Sequence, residues 1–228
     1  MTYLIKLGGS LFPQGILPLY RALKKLPLRK AQRIFLFPGG GEFADLIRKY
    51  RQSASLSDDA CHAMALASLD QNAYLIADIC KCPCITCLDD IKNAGEYPAV
   101  IAPYRIITER RPFTGLSLDI DILSSTSSAL YCAHMLKAQC IVATDVDGVF
   151  EADPKRSGNN PKLLKKMSSQ RLAGMQRGGP LDVTIPLLMD RYKAEVWVIN
   201  GNYPDRVSQA IVKHRLDVGT VITFCTID

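Results

Sequence analysis

Leu4-Ile5-Lys6-Leu7-Gly8-Gly9-Ser10 reads as a buried strand that runs straight into a two-glycine turn. A helix follows, with apolar positions at Ile16, Leu17, Leu19, Tyr20 and Leu23. Strand, glycine turn and helix is how α/β proteins build an anion site. Glycine lets the backbone approach an oxyanion, and the helix start adds unpaired N–H groups and the favourable end of a dipole. Lys6 is the unusual member. Strand alternation turns it away from Ile5 and Leu7 near the strand's C-terminal end, and a cation at that edge of a parallel sheet sits where ligands bind. The alternative is a solvated lysine beside a structural turn.

Outward from this stretch the pattern repeats. Arg33 to Phe37 is an apolar run that ends at Pro38-Gly39-Gly40-Gly41, and Glu42 to Tyr50 reads helical. Consecutive glycines are costly in entropy, so their use is close approach of the backbone to a ligand. No Gly-Lys-Ser/Thr follows, which excludes a P-loop. Ser57 reads as an N-cap with Asp58 and Asp59 in the first turn, opening an Ala-, Met- and Leu-rich helix to about Asp78. His62 on that helix is either a packed side chain or a ligand-facing one. Cys80, Cys82, Cys84 and Cys87 have alternating rather than C-x2-C spacing, which favours reduced thiols on an extended segment over a zinc site.

Ala99 to Ala102 is a short strand, and Tyr104 to Asp121 reads as a long loop or hairpin. Ser124 to Lys137 is helical and opens with Ser124-Ser125-Thr126-Ser127-Ser128, a run that caps the helix or binds an anion there. Cys140 to Ala143 is a buried strand ending in Thr144-Asp145-Val146-Asp147-Gly148-Val149-Phe150, then Asp153-Pro154-Lys155. This is a polar ligand site without the later ligands of a calcium loop. Lys162 to Met175 is partly helical, Val183 to Tyr192 and Pro204 to His214 are helices, and Glu195 to Ile199 and Gly219 to Phe224 are strands. Strands alternating with helices argue for an α/β fold with a parallel sheet covered on both faces.

The 228 residues, 48% apolar and 22% charged, suit one globular domain or two small ones with ample core, and a single domain over 1–228 is expected. The formal charge of +6 fits an anionic small-molecule substrate. No long basic run with interleaved aromatics points to nucleic acid. No run approaches the ~20 apolar residues that span a bilayer. The chain enters its first strand at once, without a leader, and carries eight cysteines, so a reducing cytoplasm is expected.

Lys6-x-Gly8-Gly9-Ser10, Gly39-Gly40-Gly41, the helix start near Ser124 and Thr144 to Phe150 with Asp153-Pro154 occur in an order that resembles the amino acid kinase family. The resemblance covers essentially the whole chain. It implies a three-layer αβα sandwich with an open, mainly parallel central sheet, and both substrates across the C-terminal edge of that sheet. It implies an ATP-dependent kinase, with Mg2+ screening the phosphates and the protein as a homo-oligomer. On this likeness Lys6 stabilises charge on the transferred group, and Gly8, Gly9 and Ser10 cradle the ATP phosphates. Gly39, Gly40 and Gly41 hold the acceptor, with Thr126 at its side. Thr144, Asp145, Asp147, Gly148, Val149, Phe150, Asp153 and Lys155 line the nucleotide. The N-terminal part would then take the acceptor and the part from about Cys140 the nucleotide. No residue is expected to bind metal directly.

Two positions depart from the family pattern. Many members have an aspartate at the helix start where this chain has Thr126, and a lysine after a late Gly-Gly-Met where this chain has Gly178-Gly179-Pro180-Leu181-Asp182. Asp119, Asp121 and Lys155 are candidate substitutes. The tract Leu56 to Ala65 with Asp70-Gln71, together with Leu181-Asp182 and Val198 to Val207, is similar to the branch that phosphorylates aminomethylfuran-methanol phosphate in methanofuran biosynthesis. There His62 would hydrogen-bond the acceptor phosphate. The expected activity is therefore conversion of a small phosphate monoester to a diphosphate. A kinase of another phosphate or of a carboxylate is the alternative within enzymes, and a nucleotide- or oxyanion-binding protein without turnover is the alternative outside them.

Overall fold

A computed structural model of the chain describes residues 1–28, 32–95, 97–110, 124–154, 161–175 and 181–224. The first strand, β1 (Thr2–Leu7), is followed by a single 3-10 turn at Gly9–Leu11 and by α1 (Ile16–Lys24). The chain continues through β2 (Arg33–Phe37), α2 (Gly41–Ala54) and α3 (Asp58–Cys80). Ser57 caps α3 by accepting the Ala60 N–H at 3.3 Å. Then come β3 (Cys84–Ile85), α4 (Leu88–Asn93), β4 (Ala99–Ile101) and α5 (Tyr104–Arg110). The second half holds α6 (Ser125–Met135), β5 (Ala138–Thr144), β6 (Lys166–Ser168), α7 (Ser169–Ala173) and α8 (Ile185–Tyr192). It closes with β7 (Val196–Asn200), α9 (Pro204–Lys213) and β8 (Thr220–Thr223).

The described strands form one eight-stranded sheet in the order β3-β4-β2-β1-β5-β7-β8-β6. Pairing is parallel from β3 to β7 and again between β6 and β8, while β7 and β8 run antiparallel. Strand alternation divides the core in two. Leu4, Phe35, Phe37, Cys140, Val142 and Val198 pack on one face with α6 and α8, and Tyr3, Ile5, Leu7, Ile34, Ile141 and Trp197 pack on the other with α1 and α9. The architecture is therefore the expected three-layer sandwich with a mainly parallel sheet.

The chain lays down β1 and then β2 beside it, passes to the edge as β3, comes back to fill the gap as β4, and crosses to the other side of β1 as β5. β1 is thus the topological switch point, where the carboxyl ends of neighbouring strands leave a crevice. Lys6 lies in that strand, in register with Phe37 on β2 and Val142 on β5. It shares the Leu4 face, toward α6.

Three local readings change. Tyr104–Arg110 is a helix rather than the start of a loop, held by Asp70 on α3, which accepts the Tyr104 N–H at 2.8 Å. The expected partly helical stretch at 162–175 contains the short strand β6 before α7. The cysteine-rich segment is extended only in part: Cys80 ends α3 and Cys84 opens β3. Burial and Asp70 push the Cys84 thiol up to about 11, so it is a neutral packing group.

Candidate active site

The two N-terminal glycine turns meet. A Cβ at Gly39 would lie 2.6 Å from the Leu7 carbonyl oxygen and 3.0 Å from the Gly9 nitrogen, so only glycine lets the turns approach this closely. The Gly8 N–H donates to the Ala143 carbonyl at 2.8 Å, and the Gly201 N–H to the Thr144 carbonyl at 2.7 Å. These bonds draw the ends of β1, β5 and β7 together. Gly9 and Ser10 remain exposed at the edge, while Gly8 is buried.

Asn72 fixes the second turn, and sequence reasoning missed it. Its side-chain amide, buried on α3, donates to the carbonyls of Gly39 at 2.7 Å and Gly40 at 2.9 Å. In a trans peptide the N–H points opposite to the C=O, so the Gly40 and Gly41 amides are turned away from α3. Gly41 holds φ +53°, the left-handed conformation that this turn into α2 requires. His62 stands further along α3, about 15 Å by helical rise from Asn72, the α3 residue that bonds the Gly40 carbonyl. Partial burial lowers its imidazole pKa below the ordinary value, with Asp59 pulling the other way.

Lys6 is only 8% exposed. Burying a charge costs several kcal/mol in effective terms, whereas a leucine there would gain about 1.5–3 kcal/mol. The chain keeps a cation where an apolar residue would be more stable, which makes Lys6 the leading candidate for function at this edge. Burial lowers the ammonium pKa to about 8, against the opposing pull of Asp182 and Cys140.

The serine-rich start of α6 does bind an anion, and the anion is internal. Ser124 caps the helix by accepting the Thr126 N–H at 2.9 Å and the Ser127 N–H at 3.3 Å. Its hydroxyl donates in turn to the Asp182 carboxylate. Ser127 donates to Asp182 at 3.3 Å, the Thr184 N–H donates at 3.1 Å, and the Thr184 hydroxyl donates as well. Thr126 is buried beside this cluster. Asp182 has no legible role in the sequence, because Asp182-x-Thr184 before Pro186 reads as an ordinary helix start.

The loop after β5 is tied at its other end. The Asp147 carboxylate accepts from Asn200 at 3.0 Å and from Arg206 at 2.9 Å. The Arg206 guanidinium lies 3.9 Å from the Tyr203 ring centroid. A cation in the first turn of a helix opposes its dipole, and that was the legible signal for Arg206. Thr144 is buried and donates to Asp145 at 3.3 Å. Gly148 packs on Thr220, whose hydroxyl oxygen accepts the Val149 N–H at 2.8 Å, and the Val149 side chain belongs to the core. Phe150 bridges to Leu163, and Asp153 is partly exposed. Lys155, Asp119, Asp121 and Gly178-Gly179-Pro180 lie outside the described residues.

The family model described as the amino acid kinase family matches residues 1–200. The chain belongs to the amino acid kinase family. Among relatives of this amino acid kinase chain, the [5-(aminomethyl)furan-3-yl]methyl phosphate kinase of Methanocaldococcus jannaschii is 30% identical over 222 residues, covering 94% of this chain and 95% of the relative. The crystal structure of uridylate kinase from Archaeoglobus fulgidus superposes with a TM-score of 0.70 at 22% identity, covering 97% of this chain and 100% of the other. Isopentenyl phosphate kinase from T. acidophilum does so with a TM-score of 0.60 at 18% identity, again over 97% and 100%. Among the described residues, no helix of this family member is long and apolar enough to cross a membrane.

Proposed function

We propose that this protein transfers the γ-phosphoryl group of ATP to a small phosphate monoester, giving a diphosphate, and that the acceptor is an aminomethylfuran-methanol phosphate. The observation that carries the reading is a buried lysine at the switch point of the sheet, beside two glycine turns in contact. The relative from M. jannaschii, by its name a phosphate kinase, supports the acceptor class.

An acceptor phosphate oxygen attacks the γ-phosphorus. The bond from that phosphorus to the bridging oxygen breaks, and ADP leaves with the electron pair. Positioning and charge neutralisation do most of the work in such a transfer. Lys6 supplies a point charge to the transferred group. Gly8, Gly9 and Ser10 carry the ATP phosphates on their backbone, and the Gly40 and Gly41 amides, turned by Asn72, take the acceptor phosphate. His62 reaches a more distant part of the acceptor. Thr144, Asp145, Asp147 and Asp153 shape the nucleotide side, while Gly148, Val149 and Phe150 hold its loop. The N-terminal part of the sheet edge thus takes the acceptor, and the part from Cys140 onward takes the nucleotide. Mg2+ accompanying ATP would screen the charge of its phosphates during transfer.

The protein works in the cytoplasm as a homo-oligomer. Phe43, Leu46 and Tyr50, exposed along α2, support that association. Thr126, neutral where many family members have an acid, favours a second reading as a binding protein without turnover.

The test is a panel of acceptors with Mg-ATP, followed by 31P NMR. It includes aminomethylfuran-methanol phosphate, isopentenyl phosphate and nucleoside monophosphates. A new diphosphate signal on the furan acceptor is expected. An acyl phosphate trapped by hydroxylamine from a carboxylate acceptor, or ATP binding with no product on any acceptor, would overturn it.

A further inference from the structure

Lys6 and Asp182 come from distant parts of the chain and are brought to the same end of α6, close enough for the Asp182 charge to act on the ammonium without a direct ion pair. Alternation along β1 turns Lys6 toward α6, and the start of α6 holds the Asp182 carboxylate through Ser124, Ser127 and Thr184. We propose that Asp182 is a positioning residue for phosphoryl transfer: fixed at the start of α6 by the segment before α8, its charge steadies the buried Lys6 ammonium at the end of β1 through space, in place of an acid at Thr126. This rests on the kinase reading above.

The hydrogen bonds make Asp182 a fixed charge. Ser124 takes two helix N–H groups on its oxygen and gives its own proton to the carboxylate, so the helix end polarises the bond that anchors the acid. Thr184 binds the other carboxylate oxygen through backbone and hydroxyl. Ser127 lies 2.6 Å from the Thr184 hydroxyl and backs it, so the carboxylate, held by Ser124 and by both groups of Thr184, has little freedom to leave.

Among the described residues, the charges that act on Lys6 are those of Asp182 and Cys140. Burial pushes the Cys140 thiol up to about 12, so it carries no charge near neutral pH. Asp182 is then the group that offsets the burial of Lys6 and favours its protonated form. Thr126, buried in the same cluster, has no charge to give. A plain helix cap would need the hydrogen bonds of Asp182 but not its charge, and that difference is measurable.

Asp182→Asn keeps the shape and removes the charge. The Lys6 ammonium is followed by NMR in lysine-labelled protein, with its signal assigned by its loss in Lys6→Arg. Turnover is measured alongside against pH. The Lys6 pKa is expected to fall below the wild-type value by roughly one unit, and kcat by roughly tenfold or more, with a smaller change in KM for ATP. Adding Thr126→Asp is expected to restore part of both. If Asp182→Asn does not fold, Asp182→Ser, which keeps an acceptor for the Thr184 N–H, gives the same readings. An unchanged Lys6 pKa and pH profile in a folded variant would overturn the proposal and leave a structural cap. A wild-type protein that transfers nothing while Lys6 still titrates lower in the variant would overturn the kinase reading, and the transfer role with it. The electrostatic hold of Asp182 on Lys6 would stand.

Discussion

Two acid–cation clusters stand at the same edge of the sheet, Lys6 with Asp182 and Arg206 with Asp147. They differ in burial. Arg206 and Asp147 make a direct ion pair at 2.9 Å, but their side chains are 36% and 37% exposed. Pairs of that kind are screened by water and contribute about 0.2–1 kcal/mol. Lys6 is buried, and desolvation dominates its titration. A charge that is satisfied and wet fixes a loop, whereas a charge kept dry and only partly offset remains available to an incoming phosphate. Chemistry is therefore expected at Lys6, and nucleotide positioning at Asp147.

The largest effect that would break this contrast is at Lys6. Lys6→Met is expected to lower kcat by roughly a hundredfold or more, with a smaller change in KM for ATP. Lys6→Arg should rescue little, because a planar fork does not replace a compact ammonium. Near wild-type turnover in folded Lys6→Met would move the chemistry elsewhere.

Asn72→Ala sharpens the contrast by loosening the acceptor side alone. It leaves the buried Gly39 carbonyl without its partner, at a cost of about 1–3 kcal/mol in denaturant unfolding. KM for the acceptor should rise more than KM for ATP. Unaltered stability and kinetics would show that the second glycine turn holds itself.

The smallest effects belong to the exposed cluster. Arg206→Ala should cost under ~1 kcal/mol of stability. Asp147→Ala should weaken ATP binding in calorimetry while the fold persists. A Lys6-sized loss of kcat in either variant would erase the distinction between the clusters.

Much of this was legible in the chain. Lys6 stands out because an ammonium interrupts an apolar alternation just before two glycines, and strand geometry alone turns it toward one face. The two glycine turns and β5 follow from equally local signals. Asp182 and Asn72 were not legible as site residues. Their partners are remote in sequence, and each sits in a context with an ordinary explanation: a helix cap for Asp182, an Ala- and Leu-rich buried helix for Asn72. Helix α5 was hidden because its first turn is anchored by Asp70 from another helix. The three-residue strand β6 is too short to show alternation.

The most direct test of the central claim is the pH dependence of kcat/KM for ATP in the wild-type enzyme. This ratio reports the free enzyme's ionisations. The second ionisation of phosphate groups has its midpoint near pH 6, so it is nearly complete before the lysine titrates. If a buried, protonated Lys6 carries the transfer, kcat/KM falls as pH rises through about 8, and this limb is lost in Lys6→Arg. A wild-type profile that stays flat into the ordinary lysine range near 10.5 would contradict the account.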